Sequence, residues 1–183
     1  MIDQARFDLL REKYGFYSSW AVWVEEGDTP KSNIGDLSIF ERGNILSQLN
    51  PDVVLVGLNI SRDAIRAPLA NFHDLSSVAQ DFKIRYALTG SPWWGAYMTD
   101  VVKDYPELYS GKVAKFLKEN KSFEKENIQV FKEELEDLGT SNPLLIAFGN
   151  DVFSVLNRNL GEEYKIIRVK HYASYISKEN YRK

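Results

Sequence analysis

An α/β fold with a central, mostly parallel four-stranded sheet and helices on both faces, three layers in all, is what three features of this sequence predict. Short runs such as "VVLVGLN" and "LLIAFG" are apolar at successive positions, so both faces of those strands must be covered. Charged amphipathic segments separate the runs and supply the crossover helices that parallel strands require. The chain has 183 residues, 44% hydrophobic and 27% charged, which suits one continuous core and would be cramped for two domains.

Taken in order, Phe7, Leu10, Tyr14 and Tyr17 recur at helical spacing and predict an N-terminal helix within residues 3–23. "EEGDTPKSNIGD" is loop chemistry, and Ile39 to Leu49 reads as a second helix stopped at Asn50 and Pro51. Residues 1–45 are therefore expected to form a helical extension packed on a single domain spanning 1–183. Val53 to Val56 is the first strand. A long connection follows, then a helix over "SSVAQDFKIRYALTG" ending at Gly90. Gly95 to Lys103 is the second strand. Gly111 to Leu138 holds two charged amphipathic helices divided near Lys121 and Ser122. "NPLLIAFG" is the third strand, and "NDVFSVLNRNL" is a helix capped by Asn150 or Asp151 and stopped at Gly161. "YKIIRVKHY" completes the sheet.

Composition removes several classes of function. Cysteine is absent, which excludes disulfides, thiolate metal sites and cysteine nucleophiles. Two histidines, nearly a hundred positions apart, do not make a zinc site, so no metal or other cofactor is expected. Gly57 lacks the spacing of dinucleotide binders and the Lys-Ser/Thr of a P-loop, and no Gly-x-Ser-x-Gly elbow is present. The charged start and the lack of a long apolar run point to a soluble, cytoplasmic monomer without a membrane partner. The net charge is −3, but six Lys or Arg face the single acid Glu179 between Tyr164 and Lys183. Such a patch can steer a polyanion, and it is equally the composition of a solvated basic tail.

In parallel sheets, ligands bind beyond the carboxyl ends of the strands. That rule selects Gly57 to Ser61, Thr99 to Lys103, Gly149 to Asn150 and His171 to Tyr175. The segments there read "GLNIS", "TDVVK", "IAFGNDVFSVL" and "HYASY". In that order, over roughly Leu49 to Ser177, they resemble the uracil-DNA glycosylase superfamily, with the first motif closest to the mismatch-specific branch. No single motif is specific; the ordered combination is. The resemblance implies a uracil-DNA glycosylase-like α/β/α fold and hydrolysis of the N-glycosidic bond of a damaged or mispaired base flipped from DNA.

Carried over by position, Asn59 matches the asparagine that positions the attacking water. His171 matches the histidine that donates to the departing base, a kind of preorganised donor worth about 10²–10³ in rate. Gly57, Leu58, Phe72 and Asp100 fall where the family holds the base, with Phe72 as the stacking ring. Ser61, Lys170, Tyr172, Ser174, Tyr175 and Lys178 fall on the DNA-facing edge, where Tyr172, Tyr175 or Ile176 would wedge the duplex open.

Two departures bear on these roles. The family's proline after the asparagine is Ile60, and the late motif reads His-Tyr-Ala-Ser-Tyr, so two φ-fixing rings are missing near the phosphates. Asp100 stands where several branches keep an amide that reads uracil. An ionised carboxylate only accepts, so it suits a base edge with two donors, unless Asp100 is protonated or points elsewhere.

The residues also admit plainer readings. Asn59 is a common left-handed turn residue, Phe72 and the pair Trp93 and Trp94 a common core type, and His73 a helix cap or surface residue. A glycosylase-shaped protein that binds nucleic acid or a partner without cleavage is the competing expectation, and hydrolysis of a free nucleoside a third.

Overall fold

The computed structural model describes residues 2–61 and 65–183. Helix α1 (Gln4–Tyr14) starts at Asp3, whose carboxylate accepts a hydrogen bond from the Arg6 N–H at 2.8 Å. It buries Phe7, Leu10 and Tyr14 and stops at Gly15. The chain then straightens into strand β1 (Ser18–Trp20), where the helical spacing predicted more helix. Among the described residues the sheet therefore has five strands, one more than the sequence predicts. β2 is Asn50–Asn59, β3 Ala96–Val102, β4 Leu144–Phe148 and β5 Ile166–Val169.

Their order is β1-β3-β2-β4-β5, parallel throughout except for β1, which runs antiparallel on the β3 edge. The residues before position 45 are thus part of the sheet and core, and only α1 among them is α-helical. The second predicted helix, Ile39 to Leu49, is instead two 3₁₀ turns, Leu37–Glu41 and Ile45–Gln48. Gly43 and Asn44 between them are poor helix formers, and Asp36 caps the first turn by accepting from the Ser38 N–H. The helix expected over 76–90 is trimmed to α2 (Phe82–Leu88).

The remaining elements match the pattern. α3 is Ser110–Glu119, α4 Lys121–Leu138 and α5 Asn150–Leu160. A one-turn helix, α6 (Lys178–Arg182), carried no periodic signal. Among the described residues, no helix is long and apolar enough to cross a membrane.

The alternation of strand side chains divides the core in two. Val54, Val56 and Leu58 of β2, with Leu145 and Ala147 of β4, pack under α1, α3, α4 and α5. Val53 and Leu55, with Ile146, Phe148 and Met98, pack under α2 and Trp23. This two-sided covering is why the central strands read as unbroken apolar runs.

One buried network ties α4 to the end of β3. Lys103 Nζ donates to Glu134 Oε2 at 2.5 Å, to Thr99 Oγ1 at 2.8 Å and to the Asp100 carbonyl at 2.7 Å, which uses all three of its donors. The hydroxyls of Tyr97 and Thr99 donate to Glu134 Oε1 at 2.7 and 2.9 Å.

His73 lies where the two cores meet, between the Trp23 ring of one and the Phe40 ring of the other at 5.2 and 5.6 Å. It is neither a cap nor a surface residue. Its Nε2 has no partner among the described residues, and burial pushes its pKa down to about 4. The unfolded chain therefore binds a proton that the folded chain rejects between pH 6.5 and about 4. Stability falls as pH drops through that window, by on the order of 3 kcal/mol, and is unaffected above it. In urea titrations from pH 7 to 4.5, His73→Leu removes most of this slope; an unchanged slope would place its origin elsewhere.

Candidate active site

β2 is the strand at which the chain switches from its β3 neighbour to its β4 neighbour, and a crevice opens at such a point. A cleft of about 920 Å³ lies there, bounded by the carboxyl ends of β2, β3, β4 and β5. Asn59, Asp100 and His171 all line it, as do Ser61, Lys170, Tyr172 and Ser174.

Gly57 faces Asp100 across the parallel β2–β3 pair. A Cβ at Gly57 would sit 2.1 Å from Asp100 Oδ1 and 3.4 Å from Phe72 Cζ, so only glycine admits the carboxylate here. Asp100 is 4% exposed. Its Oδ2 accepts from Asn71 Nδ2 at 2.8 Å, and the same Nδ2 donates to the Tyr17 carbonyl at 2.8 Å. Asn71 precedes Phe72, whose φ of 62° is rare for an aromatic residue, and Asn71 Oδ1 accepts from the Phe72 N–H. This strained turn, which costs on the order of 1–3 kcal/mol, aims the amide at the carboxylate.

Asn59 ends β2 in extended conformation, paired with Val102, so it is not a left-handed turn residue. Its Nδ2 donates to the carbonyls of Ile60, Tyr105 and Glu107 at 2.9, 3.1 and 2.9 Å. Three carbonyls around one nitrogen fix the orientation of the amide, so the acceptor Oδ1 is its remaining polar atom. The same bonds hold the loop after β3 against β2.

His171 follows β5. The Ala173 N–H donates to its Nδ1 at 3.1 Å, which makes Nδ1 the acceptor and places the proton of the neutral ring on Nε2. Burial holds its pKa below the ordinary value, so this tautomer persists at neutral pH. The ring stacks on Tyr172 at 4.5 Å and 23°. Lys83 Nζ donates to the Ser174 carbonyl at 3.0 Å and pins the loop.

Gly149 carries φ 95° as β4 turns into α5, a conformation that favours glycine. The first turn of α5 holds Asp151, which accepts from Ser110 Oγ at 2.9 Å, while Asn150 accepts from Arg168 at 2.7 Å.

Other expected site residues lie elsewhere. Leu58 borders the cleft but packs into the larger core. Phe72 is 2% exposed, its ring 6.4 Å from those of Phe148 and Tyr172, and forms the floor under Gly57 without an open face for stacking. Tyr175 projects fully into solvent. Lys178 lies over the Tyr86 ring at 4.3 Å, and Arg182 donates to the carbonyls of Tyr86 and Thr89. These two members of the terminal basic cluster thus fasten α6 to α2 and do not line the cleft. Trp93 and Trp94 are core-packing residues.

Sequence reasoning missed Asn71 and Lys83 as supports of the site. Asn71 begins the "NFHD" stretch that supplied Phe72, yet only the fold shows that its partner is Asp100. Comparison with known protein families, curated proteins and solved structures finds no match.

Proposed function

We propose that this chain is a uracil-DNA glycosylase-like protein with a three-layer α/β/α arrangement. In this reading it hydrolyses the N-glycosidic bond of a damaged or mispaired base flipped from DNA. The observation that carries the reading is the convergence of Asn59, Asp100 and His171, from three different strand ends, on one cleft.

The flipped base enters the cleft against the Asp100 carboxylate, which occupies the space a side chain at Gly57 would take. His171 Nε2–H donates to a base oxygen as the C–N bond breaks and its electron pair leaves with the base. Asn59 Oδ1 accepts from a water whose oxygen forms the new bond to C1′, and the proton that water sheds ends on the departing base. The amide acts by holding the water, since it is no useful base. Asp100, steadied by Asn71, presents acceptors to a base edge that offers donors.

A second reading, binding without cleavage, is favoured by the three carbonyls that engage Asn59, since that clamp gives the residue a structural reason to be there. Oligonucleotides carrying uracil, hypoxanthine, xanthine or mispaired guanine, treated with alkali after incubation, separate the two. Wild type leaves strand breaks at one or more of these bases, and Asn59→Ala lowers the rate about 10- to 100-fold with DNA affinity retained. Binding with no abasic product across the panel would establish the second reading.

A further inference from the structure

The helices divide unevenly between the two faces of the sheet. α1, α3, α4 and α5 pack on one face, whereas the other is covered by the seven-residue α2 and the five-residue α6, which buries none of its side chains fully. A cavity of about 730 Å³ is left beneath these two short helices. Its floor is Leu55 of β2 with Ile146 and Phe148 of β4, and Leu88 of α2, Trp93 and Ile176 form its walls. A cavity of that size and lining suits the apolar body of a small molecule. Asn59, Asp100 and His171 do not border it, although Phe148, Val169 and Lys170 line both this cavity and the cleft.

The polar groups at its edge ask for one kind of ligand. Lys170, Arg182 and Lys183 supply three cations, and among the described residues no Asp or Glu lines the cavity. The Arg182 guanidinium donates to the carbonyls of Tyr86 and Thr89, which are neutral and leave its charge in place. Tyr181 also lines the cavity, and its hydroxyl makes no hydrogen bond among the described residues. Burial pushes its pKa up, so it stays a donor. A largely desolvated donor without an acceptor is costly, and an incoming acceptor relieves that cost.

We infer that this cavity binds a free single-chain carboxylate, a fatty-acid anion, with its hydrocarbon chain over Leu55, Ile146 and Phe148 and its head group on the Tyr181 hydroxyl beside Lys170 and Lys183. The floor runs from β2 through β4 to Val169 of β5, two strand spacings or about 10 Å, which calls for a chain of medium length. Such binding is independent of what the cleft does.

Isothermal titration calorimetry with sodium decanoate, kept below its micelle-forming concentration, tests it. Decanoate binds at one site with a Kd on the order of 100 μM or tighter, and decyltrimethylammonium, with the same tail and the opposite charge, binds at least about tenfold more weakly. That preference runs against the net charge of −3, which by itself draws the cation and repels the anion. Tyr181→Phe removes the hydroxyl and keeps the ring, so the fold is retained and decanoate binding falls about tenfold. Ala87→Phe, from a half-buried position on α2, fills the cavity and abolishes binding, while Val130→Ala, exposed on α4 over the opposite face of the sheet, changes nothing. Thermal unfolding with and without decanoate verifies that the variants remain folded. No decanoate binding by wild type, equal or tighter binding of the cationic amphiphile, or indifference to both Tyr181→Phe and Ala87→Phe overturns the inference. Sedimentation of the same samples covers the other occupant: a dimer that Ala87→Phe breaks, with no decanoate bound, gives the cavity to a second copy of the chain and likewise overturns it.

Discussion

On the proposed glycosylase reading, His171→Ala lowers the rate of base excision by about 10²–10³-fold while oligonucleotide affinity changes little. The expectation follows from where the proton sits. Because the Ala173 N–H occupies Nδ1, the neutral ring has a single donor, Nε2–H, and the stack on Tyr172 limits how that donor can turn. Such a donor gains strength as the base acquires charge, so its loss appears in the chemical step and not in ground-state binding.

His171→Gln keeps an N–H of similar reach and recovers part of the rate. The pH profile gives a further check. Burial lowers the His171 pKa, so on this reading the loss of rate with falling pH is centred below the ordinary histidine titration. Protonation below that sets an Nδ1–H against the Ala173 N–H and breaks the arrangement. Single-turnover rates from pH 5 to 8 measure this. A threefold or smaller effect of His171→Ala would assign the residue to packing alone.

Lys103→Met costs about 3–5 kcal/mol in stability. The methionine fills the volume but leaves Glu134, wholly buried, with its charge uncompensated. It also removes the donor to the Asp100 carbonyl and so loosens the strand end that carries the carboxylate of the cleft.

Glu134→Gln added to Lys103→Met restores most of the loss, because a neutral amide still accepts from Tyr97 and Thr99 without the burden of charge. Equilibrium denaturation of the two single variants and the double variant gives the coupling directly. A loss below about 1 kcal/mol for Lys103→Met would mean that water reaches the pair and that α4 is held by its apolar face alone.

How much of this was legible in the residues depends on the range of the interaction concerned. The two-faced apolar runs of β2, β3 and β4, the division of α3 from α4 and the stop of α5 at Gly161 follow from local spacing and turn chemistry, and all are present. The placement of Asn59, Asp100 and His171 at one end of the sheet follows as well, since strands joined by helical crossovers must all point the same way.

β1 was not legible, because Ser18 to Trp20 become a strand only by pairing with Thr99 to Tyr97, some eighty positions away. The same holds for the site's supports. Asn71 finds Asp100, Lys103 finds Glu134, and the carbonyls of Tyr105 and Glu107 find Asn59 only after the chain has folded. The sequence by itself determined the four parallel strands, their direction and the end of the sheet at which Asn59, Asp100 and His171 gather, because periodicity and turn preference act over a few residues. Only the tertiary structure decided which way the Asn59 amide faces, which His171 nitrogen keeps its proton and that Phe72 is floor, because each depends on a hydrogen bond or contact between distant segments.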